Sequence, residues 1–268
     1  MFKYPIGIVV IISVILFLWA YSTKRQYITR LKDEENKYEK IDFTNVNELP
    51  YQIVNYLLYT KTQDAKVHRF KLSMSGQMRQ TVDEPFNEIK VSQETFLSSG
   101  SRLFLMEMKY KGLMVRGIHD YNTQYAQMKI KVLDFFTVVN EKNNIMHKAE
   151  TVTYLNDLCI FAPSSLRYED VTFREIDEYT VSVSLTKHGY TVSAELYFDE
   201  DYRLVNFVSF DRYMVIDGEY KQTRWETPLT DYKIQGDYYL PYLGSAIWVM
   251  EDGNFEYIKL IINEVTYN

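Results

Sequence analysis

Across 268 residues the chain is 46% hydrophobic, 25% charged and 16% aromatic, with 24 Tyr and 15 Phe, a mix that excludes a disordered polymer. A single Cys excludes an internal disulfide framework and a Cys-rich zinc site. Residues 1–40 carry seven Lys/Arg against four acids, leaving 23 basic and 32 acidic groups beyond them; so acidic a body is no partner for nucleic acid.

The segment Pro5 to Tyr21 is free of charge and would span about 26 Å as a helix, enough with Phe2 and Tyr4 to cross a bilayer. Trp19 and Tyr21 suit the headgroup layer, and Lys24 with Arg25 marks the exit. A cleaved signal peptide is the competing reading, but Leu18-Trp19-Ala20-Tyr21-Ser22 offers no small-residue cleavage site. The excess of Lys and Arg after the helix argues for a cytoplasmic domain, whereas the short leader holding Lys3 argues for a signal anchor and export, the reading adopted here. Residues 1–22 are therefore expected to be a transmembrane anchor and 23–45 a charged stalk, solvated and helical over KDEENKYEK at 32–40. A single domain is expected over 46–268.

Asn47-Glu48-Leu49-Pro50 reads as a helix start, and Ile53, Val54, Tyr56, Leu57 and Leu58 supply the apolar face of a helix over 48–60. From Val67 the period changes to two. Phe70, Leu72, Met74 and Met78 alternate with Lys71, Ser73, Ser75 and Gln77, as in a strand wet on one face. Lys111-Gly112, His188-Gly189 and Asp252-Gly253 each separate two strand-forming runs, the signature of tight hairpins. Such runs predict roughly eleven antiparallel strands between 66 and 267. One helix interrupts them at about 146–162, where Val152, Leu155, Cys159 and Ala162 recur at helical spacing before Pro163. The fold class is thus β-rich α+β, a large curled antiparallel sheet or half-barrel with one preceding helix and one inserted helix lying across its concave face.

Chemistry signals are sparse. No Walker loop, G-x-G-x-x-G, H-E-x-x-H or G-x-S-x-G is present, and no cofactor is implied. His68, His119, His147 and His188 sit in separate segments without ligand spacing, so no metal site is expected, and Cys159 reads as a small buried hydrophobe. Asp120 and Tyr121, at a strand end, are candidates for a polar contact at a pocket rim, with a loop-capping Asp as the alternative. Glu150 and Asp157 lie seven apart on the inserted helix with Tyr154 between them, either carboxylates facing a cavity or an exposed acidic edge. The aromatic surplus, Trp225 and Trp248 included, fits a pocket for an amphipathic ligand or a membrane-proximal surface, or plain strand propensity.

ELPYQIVNYL, AETVTYLNDLCIFAPSSL, FREIDEYTVSVSL, LYFDEDYRLVNFVSFDRY, RWETPLTDYKIQGDYYLP and a final W-x-x-x-D-G-x-F-x-Y with Y-N occur in the order of an uncharacterised bacterial family of unknown function, which this chain resembles over about 48–268. Glu150, Tyr154, Leu155, Asp157 and Pro163 match its middle helix, while Thr153 replaces an Arg and Phe161 a Trp; Asn122 to Ala126 stand where glycines are usual. The order of elements is also similar to the half-barrel of bacterial lipoprotein carriers and envelope-stress sensors. That resemblance implies a groove that takes a lipid, acyl chain or other hydrophobic ligand, and with the apolar segment 5–21 and the sparse chemistry the expectation is a membrane-anchored, non-enzymatic binding module. A scaffold or sensor working through a protein partner, or an enzyme using Glu150 and Asp157, are the alternatives.

Overall fold

The computed structural model of the chain describes residues 21–37, 43–216 and 218–268, the side chain of Asn47 excepted. Nearly all of the apolar segment 5–21, with Pro5 and Trp19, lies outside the described residues. Tyr21, its last residue, is an exposed N-cap. Among the described residues no helix is long and apolar enough to cross a membrane.

Strands β1 (Arg69–Met78), β2 (Asn87–Phe96), β3 (Ser101–Tyr110), β4 (Leu113–Tyr121), β5 (Ala126–Val132) and β6 (Phe136–Glu141) form an antiparallel meander running outward from β1. From the opposite edge, β7 (Val171–Asp177), β8 (Thr180–Lys187), β9 (Tyr190–Phe198), β10 (Leu204–Ser209), β13 (Arg224–Gln235), β14 (Tyr238–Met250) and β15 (Gly253–Tyr267) run inward until β15 pairs with β1. The result is one thirteen-stranded antiparallel sheet, open between β6 and β7, beside a separate hairpin of β11 (Tyr213–Ile216) and β12 (Glu219–Gln222). Among the described residues fifteen strands thus replace the eleven expected, because short runs such as 213–216 carry too little periodicity to be counted. A twisted sheet of this width curls. At Gly76 β1 and β15 approach so closely that an added Cβ would lie 2.0 Å from the Lys259 carbonyl oxygen.

Lys111-Gly112 (φ 49° and 81°) and His188-Gly189 (φ 51° and 81°) make the expected two-residue turns with both residues left-handed. The last hairpin turns one residue earlier than expected, at Glu251-Asp252, because Met250 pairs with Gly253, which opens β15.

Helix α1 (Ser22–Glu35) packs on the convex face of the sheet. Its Tyr27 joins the outward side chains Phe96, Leu103, Leu105 and Ile118 in a second small core. Arg30 reaches Asp120 (Nε to Oδ2, 2.8 Å), and Lys24 reaches Glu107 at 2.9 Å. A charged helix precedes the domain as the sequence implies, but it is docked along 22–35 rather than solvated: its Glu34 is buried and paired with Arg30 and Lys37. The helix expected over 48–60 is α2 (Tyr51–Thr60), with a 3₁₀ turn at Val46–Glu48 before it and Pro50 as its N-cap.

Helix α3 (Asn144–Phe161) joins the two edges of the sheet, β6 to β7, and so crosses the concave side. Asn143 caps its start by accepting from Met146 N at 2.8 Å, and Pro163 ends it in a 3₁₀ turn. Its Val152, Leu155 and Cys159 are fully buried in the main core with Phe70, Leu72, Tyr121, Phe198 and Phe207 from the strands. Tyr56 of α2 donates to the Cys159 carbonyl at 2.8 Å, tying the two helices together. Burial pushes the Cys159 thiol well above its ordinary pKa, as suits an inert packing residue.

Candidate functional site: a methionine-lined groove with a buried ion cluster

Inward phase on the strands is set by parity. On β1 it presents Phe70, Leu72, Met74 and Met78, on β3 Arg102, Phe104, Met106 and Met108, and on β4 Val115, Gly117, His119 and Tyr121. Between these rows and α3 lies a cavity of about 410 Å³. Six methionines (Met74, Met78, Met106, Met128, Met146, Met214) line it, with Ile160, Phe161, Ala246, Ile258, Trp225 and Trp248. A wider recess of about 1100 Å³ near Gly76 and Gly244 is bordered largely by outward polar side chains, among them Gln77, Glu88, Lys90 and Lys259, and holds no buried charged cluster.

Polar chemistry in the groove gathers around Glu150 and Asp157, two turns apart on α3. Arg102, 5% exposed, donates from Nε to Asp157 Oδ2 (2.6 Å), from Nη1 to Glu150 Oε2 (3.2 Å) and from Nη2 to Gln93 Oε1 (3.0 Å). Gln93 Nε2 completes the ring by donating to Asp157 Oδ2 at 2.7 Å. His119 Nδ1 lies 2.7 Å from Glu150 Oε1, and the Arg102 guanidinium sits over the Phe104 ring at 5.0 Å. Burial alone would raise the Glu150 pKa, but His119 and Arg102 outweigh it and hold the carboxyl down to about 2. For Asp157 burial wins over Arg102 and Gln93, and its pKa is raised. Two carboxylates locked on one guanidinium form a structural cluster, and a carboxyl held near 2 does not supply a proton near neutrality.

The hairpin β11–β12 stands over the groove, contributing Tyr213, Met214 and Val215 to its wall. Tyr220 latches it, donating to Glu141 Oε2 (2.7 Å) and accepting from Asn143 Nδ2 (3.1 Å), while Lys148 of α3 pairs with Asp211 at 2.7 Å. Just before β11, Arg212 lies over the Trp225 ring (4.4 Å) and the Trp248 ring (5.5 Å) and donates from Nη1 to Thr153 Oγ1.

Of the residues singled out from sequence, Glu150, Asp157, Trp225 and Trp248 come together around this cavity. Trp225 and Trp248 are directly opposite one another in the β13–β14 register. Tyr121 and Tyr154 lie behind the cavity wall, fully buried with ring centroids 5.5 Å apart; Tyr121 is hydrogen-bonded to Thr151 at 3.1 Å. Burial pushes both phenols upward. Asp120 is not at the groove. One residue from Tyr121 along a strand, it points to the convex face and binds Arg30, Asn122 and Tyr125.

Sequence reasoning missed Arg102, Gln93, His119 and Arg212. The first three carry a readable signal, since each is polar at a position whose parity is otherwise apolar: Arg102 with Phe104 and Met106, Gln93 with Ile89 and Val91, His119 with Val115. Arg212 stands between strands and has no such marker.

The model of the family of unknown function DUF6544 matches residues 39–260, the kind of family the motif order resembles. No curated protein matches the sequence. Among solved structures, a candidate outer membrane lipoprotein-sorting protein domain from Vibrio parahaemolyticus is 11% identical with a TM-score of 0.46, over 78% of this chain and 88% of its own. A LolA superfamily protein from Nitrosomonas europaea is 8% identical with a TM-score of 0.43, over 81% and 92%. A DUF1329 family protein from Desulfovibrio piger is 10% identical with a TM-score of 0.30, over 84% and 94%. Likeness at this level concerns the fold alone.

Proposed function

We propose, for a chain that belongs to the DUF6544 family of unknown function, that the concave groove holds one hydrophobic ligand such as an acyl chain. The observation that carries this reading is the methionine-lined cavity of about 410 Å³ between α3 and the sheet, a size suited to one small molecule or single chain. Methionine is flexible and polarizable, so a wall built from it adapts to a mobile chain where Leu or Phe would select a fixed shape. The ligand is a passenger rather than a substrate, because Glu150 and Asp157 are both committed to Arg102. In this reading residues 5–21 anchor the module in the membrane, with the domain outside the cytoplasm.

The test is native mass spectrometry with lipid extraction of the purified full chain. Co-purifying hydrophobic material, displaced by an added long-chain alcohol, is the expected result. A chain that carries none and takes up no alcohol would leave a protein-binding scaffold as the better reading.

A further inference from the structure

Of the charged side chains that line the groove, Arg102, Glu150 and Asp157 are tied into the ion cluster and Glu141 is held by Tyr220 and Asn143, which leaves Arg212. Arg102 spends all three of its nitrogens on Gln93, Glu150 and Asp157. Arg212 does not. Its Nη1 donates to the Thr153 hydroxyl, its Nε is buried with no acceptor, and among the described residues no carboxylate lies within ion-pair distance of it. Glu150, near enough to feel its charge, is held by His119 and Arg102 instead. A guanidinium with its Nε edge unmet inside a cavity wall is a costly arrangement for a protein that has nothing to set against it. A guanidinium in a cavity wall with donor capacity left over suits a planar or tetrahedral anion.

Surroundings fix what kind of anion. The Arg212 plane rests against Trp225 and Trp248, which holds the guanidinium still, and the lining beyond is apolar through Met214, Ala246 and Ile258. A free inorganic anion would gain nothing from that lining, and a neutral chain would leave the guanidinium unmet. We infer that the groove takes a single-chain amphiphile with an anionic head, its carboxylate or phosphate paired with the Arg212 guanidinium and its chain along the methionines. This rests on the groove reading above and narrows it to a ligand class.

Three probes that share a sixteen-carbon chain test it: palmitate, hexadecyl phosphate and hexadecanol. Each is titrated into the full chain in one non-ionic detergent, with retention on gel filtration and Trp emission as readouts. Charge-assisted hydrogen bonds of the usual strength make an anionic probe bind about ten- to a hundredfold tighter than hexadecanol. Arg212→Met, which keeps the stem over the indoles, brings the anionic probes down to the alcohol's level, and Arg212→Lys keeps part of the preference. Tighter binding of palmitate than of hexadecyl phosphate assigns the head as carboxylate, and the reverse order as phosphate. Equal binding of all three by the parent, or a preference that survives in Arg212→Met, overturns the anionic head while leaving the groove reading intact. Should no probe bind the parent, the groove reading itself fails. Should Arg212→Met bind nothing, Arg212→Lys decides: a retained preference upholds the inference and a lost one overturns it.

Discussion

Arg102 stands at a position where the protein had a choice of any apolar residue, on the inward phase of β3 with Phe104 and Met106, and it neutralises two carboxylates there. Removing it leaves Glu150 and Asp157 buried without their cation. Arg102→Met is therefore expected to cost about 3–5 kcal/mol in denaturant unfolding, the usual penalty for orphaning a buried pair. The pH dependence follows from the same cluster. Glu150, depressed from 4.5 to about 2, binds a proton less readily in the folded chain than in the unfolded one, so its contribution is complete above about 4.5 and is lost as pH falls to about 2. The linked amount is about 3 kcal/mol. Asp157, raised by burial, works in the opposite direction. Glu150→Gln should flatten the fall of the urea midpoint between those pH values, and parallel curves for the two proteins would show that His119 and Arg102 do not hold the carboxyl down. Glu150 and Asp157 were legible as a pair from their spacing of seven. Their partner was not, because a helix reveals its own face but not the strand residue that meets it, and Asp120 was misplaced by a single step of strand parity.

Elements were legible to the degree that their signals are local. Lys111-Gly112 and His188-Gly189 turn where their left-handed residues require, and α3 was readable from Val152, Leu155 and Cys159 with Pro163 as its stop. In β5 the side chains are mostly half-buried and in β6 mostly exposed, so the alternation that marks a strand wet on one face fades there. Because Leu155 is fully buried where α3 crosses the sheet, Leu155→Ala should lower stability by about 2–5 kcal/mol, and a change within about 0.5 kcal/mol would mean the helix is not packed there. The Tyr220 hydroxyl is one of the ties on the hairpin β11–β12, beside the Lys148–Asp211 pair at its base. Tyr220→Phe deletes both latch bonds, worth about 0.5–1.5 kcal/mol each, so amide exchange across 213–222 should quicken while that of α3 stays as it was.

At the scale of the whole molecule the sheet carries packing on both faces, the groove and α3 inside, α1 outside. These are separate cores, and distant sites add. Tyr27→Ala, an aromatic truncation in the outer core, should lower stability by about 3–5 kcal/mol yet leave hexadecanol retention by the groove unchanged. A matching loss of retention would show that the outer helix controls the groove. The docking of α1 was hidden in sequence because its charged surface reads as solvated; Arg30 and Glu34 are instead spent on partners such as Asp120 and Lys37.

The seam between β1 and β15 has a consequence for how the chain is made. Phe70 pairs with Tyr267 and Met78 with Ile258, so the central strands of the sheet are its first and its last. During synthesis the meander from β1 to β6 is complete while one whole flank of β1, a flat row of unpaired amides and carbonyls, still waits for the C-terminal strand. Such a flank invites pairing with a neighbouring nascent chain. Closure over so long a loop is also slow. The chain's most vulnerable moment is thus the interval before residue 253 and its successors leave the ribosome, and production should respond more to holding chaperones and to translation speed near the C-terminus than to any substitution in the groove.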